Sequence, residues 1–143
     1  MPLPSFIIRR ASLAMRQKLL AVIVGYFTAV VLVVMGFALL KQIFPSLVPD
    51  LVRGERPDTN FLIIAFVISF FSAAVGGYVM AFVVKHPDMR LASYLGLVII
   101  LINVLTIILE GFVKPLWWYR TLIIFLVPFT MLGASLYRNS KSK

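Results

Sequence analysis

Glu110 is the acid that lies closest to the interior of a long apolar stretch, and an ionisable side chain in such a place can carry a proton or hold a cation. It falls near the C-terminal end of its segment, where the negative end of a helix dipole makes a carboxylate unwelcome, so it should take a cationic partner. Lys114 and Arg120 are the nearest candidates for that ion pair. Other polar groups in apolar surroundings include Ser69, Ser72, Asn103 and Thr106. A serine attacks a substrate only when a base takes its proton, and no histidine or acid falls at the depth of Ser69, Ser72 or Asn103. There is one histidine, His86, and no cysteine, which removes thiolate chemistry and leaves no set of metal ligands. No enzyme, no metal and no cofactor is expected. The polar side chains read instead as groups that hold helices together.

The elements that position them follow from composition. Of 143 residues, 62% are hydrophobic and 13% charged, a balance that no soluble domain of this size needs. Four charge-poor runs, about 19–40, 61–84, 87–110 and 115–137, are each long enough as helices to cross roughly 30 Å of hydrocarbon. The expected fold is all-α: one integral membrane domain, a four-transmembrane-helix bundle. Lys85-His86-Pro87-Asp88-Met89-Arg90 joins the second and third spans. Pro87 suits a first helical position and Asp88 a first turn, which predicts a third span starting at Pro87 after a turn of about two residues.

A turn that short is expected to fold the second and third spans back on each other, face to face, and so fixes their register. Counting outward from His86, Gly76 comes level with Gly96 and Ser69 with Asn103. Ala65, Ser69, Ser72 and Gly76 share one helical face, with Ala73, Gly77 and Ala81 in an adjoining row; Ser93, Gly96, Ile100, Asn103, Ile107 and Glu110 make the corresponding stripe on the third span, with Thr106 at its margin. Lipid tails are as apolar as leucine, so helices there associate by close backbone approach and interhelical hydrogen bonds. The expected packing residues are therefore Ser69, Ser72, Gly76, Gly77, Gly96 and Asn103, with the Asn103 amide bonded to Ser69 or Ser72.

The first eighteen residues mix Phe6, Ile7, Ile8 and Leu13 with Arg9, Arg10, Arg16 and Lys18, the pattern of a short interfacial helix at headgroup level. The apolar run behind them is too long for a cleaved signal and lacks a small-residue cleavage site, so it is expected to stay as an anchor. Pro45, Pro49, Gly54 and Pro57 break the loop before the second span, whose first turn Asp58, Thr59 or Asn60 can cap. Between the prolines, Leu47, Val48, Leu51 and Val52 are expected toward lipid. In the fourth span Trp117, Trp118 and Tyr119 suit an interface, and Pro128 should leave the Ile124 carbonyl without its helical partner.

The net charge of +9 sits at span ends rather than on a soluble face, which points to anionic headgroups of the lipid bilayer and away from nucleic acid. Arg9, Arg10, Arg16, Lys18, Lys85, Arg90, Arg138, Lys141 and Lys143 share one side, nine of the fourteen basic residues. The excess of lysine and arginine places both termini in the cytoplasm.

Gly76-Gly77-Tyr78, His86-Pro87, Ala92, Leu95-Gly96, Pro115 before Trp118-Tyr119, Pro128 and Leu132-Gly133 together resemble a group of small, uncharacterised bacterial four-helix inner-membrane proteins. The resemblance runs from the second span to the fourth and implies location without activity. His86-Pro87-Asp88 also spells the tripeptide of J-domain co-chaperones, but there it joins polar helices of a soluble domain. Small multidrug exporters likewise have four spans and a membrane glutamate, but theirs lies in the first span, which here has no acid. The functional expectation is a structural or accessory membrane component, either a subunit of a larger membrane complex or a self-associating bundle. The alternative is a small transporter or channel whose polar path runs along Asn103, Thr106 and Glu110.

Overall fold

The computed structural model describes the backbone of residues 5–49, 57–85, 89–110 and 114–141, and the side chains of residues 13–49, 57–85, 89–109 and 114–140. The fold is all-α, with four helices: α1 (Ser5–Ile43), α2 (Thr59–Val84), α3 (Met89–Glu110) and α4 (Leu116–Lys141). Each contains a stretch long and apolar enough to cross a membrane. The chain is thus built as a multi-pass membrane protein.

α1 runs unbroken for 39 residues, about 58 Å at 1.5 Å per residue, so its basic first turns and its apolar span form one rod. At its other end the Phe44 N–H donates to the Leu40 carbonyl, and a turn closes with the Leu47 N–H on Phe44. Leu47 and Val48 were expected toward lipid; they pack instead on the cluster of Leu40, Phe61 and Trp118. Leu51 and Val52, expected toward lipid with them, lie outside the described residues.

Asp58 caps α2 in extended backbone, one carboxylate oxygen accepting from the Thr59 N–H at 2.7 Å and the other from the Asn60 amide at 3.3 Å. α2 stops at Lys85, whose φ of 62° is left-handed while its N–H still reaches the Ala81 carbonyl. The predicted start of the third span at Pro87 falls outside the described residues, and α3 begins at Met89.

The helices do not pack in the order in which they are joined. α2 lies along α1 on one flank and α4 on the other, α4 continues onto α3, and α3 touches α1 and α2 only sparsely. α2 and α3, expected to face each other across their tight turn, sit diagonally in the bundle. The reason is visible at the crossings. A Cβ on Gly76 would stand 2.7 Å from the Gly25 carbonyl oxygen and 3.0 Å from the Ala29 Cβ, so the Gly76 face is filled by α1. A Cβ on Gly77 would run into the Thr130 carbonyl, and one on Gly133 into that of Ala74, so the neighbouring face is filled by α4. Gly96 rests on α4 too, where its Cβ would meet the Thr130 hydroxyl and a Val127 methyl at 2.9 Å each.

Two apolar clusters result. Ala21, Met80, Ala81, Leu91, Ala92, Leu95, Ala134 and Tyr137 join all four helices at the end where α1 starts and α4 finishes. Leu40, Phe61, Leu62, Ala65, Ala73, Trp118, Leu122 and Leu126 close the other end from α1, α2 and α4. No residue of α3 after Gly96 is buried among those described, so this helix stands away from the rest over its second half.

Candidate functional site

That divergence leaves a cavity of about 170 Å³ between α1 and α3, floored by α2 and α4. Its polar lining consists of Tyr26 from α1, Ser69 and Ser72 from α2, and Asn103 from α3; Val30, Val34, Ile102 and Leu126 are among its apolar walls. The depth match of Ser69 with Asn103, derived for touching helices, therefore survives across a gap. The expected bond between them does not form. Asn103 donates from its amide nitrogen to the Ile99 carbonyl of its own helix at 2.8 Å, and Ser72 donates to the Ile68 carbonyl at 2.7 Å.

This is the general solution that the chain adopts. A hydroxyl four residues beyond a helical carbonyl can reach back to it, which satisfies the group locally where no water is available. Thr28, Ser93, Thr106 and Thr121 bond in this way to Val24, Met89, Ile102 and Trp117. The Thr130 hydroxyl reaches across between helices: it is fully buried and lies 3.1 Å from the Ala92 carbonyl and 2.8 Å from that of Val127. It has a single proton to share between the two. Thr130 carried no mark in sequence analysis beyond its place two residues after Pro128. α4 remains helical through that proline.

Within the described residues, the Ser69 hydroxyl and the Asn103 side-chain carbonyl make no hydrogen bond. Polar capacity on both sides of the cavity is left over. Glu110 closes α3, but its side chain lies outside the described residues, and with it the expected ion pair to Lys114 or Arg120. Arg120 is exposed. The Lys114 ammonium stands 4.0 Å from the centre of the Trp118 ring, and its backbone N–H donates to the Tyr119 hydroxyl at 3.2 Å. The cation is thus met by an aromatic face.

Trp118 was expected at headgroup level with its ring in the interface. It is 5% exposed, its ring stacked on Phe66 with centroids 5.3 Å apart, and its indole N–H has no hydrogen-bond partner. Trp117 is the exposed member of the pair. From Phe66 an aromatic column continues through Phe70 to Phe129, whose rings stack at 4.6 Å, and borders a shallow apolar groove between α2 and α4. Among the described residues, no three histidine, aspartate or glutamate side chains converge as a metal site would require. Comparison with protein-family models, curated proteins and solved structures gives no match.

Proposed function

We propose that the chain is a structural or accessory component of a bacterial inner membrane, a subunit of a larger membrane complex or a bundle that associates with itself, and not an enzyme. The observation that carries this reading is where its polar groups are used. Most of the described serine, threonine and asparagine side chains within the spans bond their own backbone, while the tight crossings are made by glycine against backbone. Such hardware holds helices at fixed distances. The helix with least support is α3, which leans mainly on α4; its outward face, with Leu101, Leu105 and Ile108 exposed, is where a partner helix or a second copy would complete the packing. The excess of lysine and arginine supports a topology with both termini in the cytoplasm and the N-terminal basic residues at the anionic headgroups.

Purification from native membranes in a mild detergent tests the proposal: a stoichiometric membrane partner or a defined oligomer is expected, and recovery as a monomer alone would overturn it. A small transporter or channel is the second reading, favoured by Asn103, Ser69 and Ser72 lining one cavity. Against it, Thr106 is exposed and bonded to its own helix rather than continuing the line. Flux in reconstituted vesicles that vanishes in Glu110→Gln would establish that reading, and no flux for any ion or small cation would remove it.

A further inference from the structure

We infer that the cavity between α1 and α3 is a binding site for an uncharged, lipid-soluble molecule about the size of one aromatic ring that carries a hydroxyl group. The inference does not depend on the accessory reading, since the site faces the α1 side of α3 and leaves the outward face of that helix free. Size comes first. A cavity of roughly 150 Å³ within a protein is enough to hold benzene, and this one measures about 170 Å³.

Polarity then narrows the class. Among the described residues no Lys, Arg, Asp, Glu or His lines the space, so an ion would find no counter-charge from them at hydrocarbon depth. A purely apolar occupant would leave the Asn103 amide facing a surface that offers it nothing, at a depth where an unmet polar group is costly. Asn103 spends one N–H on Ile99 and keeps the other, together with its carbonyl oxygen. A hydroxyl group matches that remainder, donating to the carbonyl and accepting from the N–H, with the Ser69 hydroxyl on the opposite wall as a further donor or acceptor. Access is lateral: Val30 and Val34 on the α1 rim are 36% and 62% exposed, toward the region that lipid would fill.

The test uses the full chain in lipid nanodiscs and two probes of nearly equal shape, 4-fluorophenol and fluorobenzene, followed by fluorine NMR, with helix content checked by circular dichroism. Saturable binding of 4-fluorophenol above that of protein-free nanodiscs is expected. Ser69→Leu, which fills the space, should abolish it. Asn103→Leu should weaken 4-fluorophenol by about threefold to thirtyfold, the ~0.6–2 kcal/mol of a hydrogen bond formed inside a membrane, without weakening fluorobenzene. Absence of saturable binding, binding unchanged in both variants, or equal weakening of the two probes by Asn103→Leu would each overturn the inference. Should Ser69→Leu fail to fold, the comparison of the two probes on Asn103→Leu still decides.

Discussion

Gly25 and Gly76 lie back to back where α1 crosses α2, each so close that a Cβ on one would stand 2.8 Å or 2.7 Å from the carbonyl oxygen of the other. Neither backbone can yield without moving a whole helix. Gly76→Val should therefore separate α1 from α2 and cost about 2–3 kcal/mol or more, toward the upper end of what overpacking does. Thermal unfolding in mild detergent would register this, and an unchanged midpoint would contradict the crossing.

The glycines should also rank. At Gly77 and Gly133 an added methyl would strike backbone carbonyls of Thr130 and Ala74, whereas at Gly36 it would meet the Ile68 γ2 methyl at 2.7 Å, a side-chain branch that is stiff at χ1 in a helix but is not backbone. Alanine at Gly77 or Gly133 should cost more than alanine at Gly36, roughly 3 kcal/mol against about 1–2. Equal losses at the three sites would mean that α2 and α4 are not in backbone contact.

Thr130→Val keeps the shape of the side chain and removes the hydroxyl. Because its proton is shared between Ala92 and Val127, the loss should stay at the lower end of the ~0.6–1.7 kcal/mol measured for hydrogen bonds between membrane helices. Its signature is expected in α3 rather than in the global midpoint. Amide hydrogen exchange along Met89–Glu110 should quicken while that of α2 does not.

Trp118→Phe removes an indole N–H that has no partner and keeps a ring for Phe66 to stack on. An orphaned buried donor costs about 1–3 kcal/mol, which is comparable to the volume lost, so the change should be neutral within about 1 kcal/mol. Trp118→Ala, by contrast, should cost about 3–5 kcal/mol. Calorimetry on the two variants separates the contributions.

Asn103→Leu should barely alter stability, by less than about 1 kcal/mol, since the amide bonds its own helix at Ile99. A large loss in chemical denaturation would indicate a bond from Asn103 to a neighbouring helix after all.

The spans were legible because charge is costly in hydrocarbon and leaves a plain mark. Runs at 61–84 and 115–137 became Thr59–Val84 and Leu116–Lys141, and Asp58 caps α2 as its acceptor chemistry implied. The partners of those spans were less legible. α2 carries two rows of small residues, ending in Gly76 and Gly77, and any small-faced helix can fit either. The tight turn at Lys85 fixes where α3 starts but not which neighbour it leans on. The clue lay in α1, where Gly25 offers the matching gap, but the long loop between α1 and α2 hides the register that would have paired it with Gly76. Of the site residues, Ser69, Ser72 and Asn103 do meet at one place, around a space rather than in contact. Tyr26 was invisible because nothing in an apolar run tells which of its residues will border a gap.

The diagonal placement of α2 and α3 bears on the order in which this chain can assemble as it leaves the ribosome. α1 and α2 are complete early and can settle on each other at once. α3 follows with its principal neighbour still unmade, so it must wait in the bilayer, loosely held, until α4 arrives and wedges Thr130 between Gly77 and Gly96. A chain truncated before α4 should therefore leave α3 adrift beside an intact α1–α2 pair, a natural target for membrane quality control.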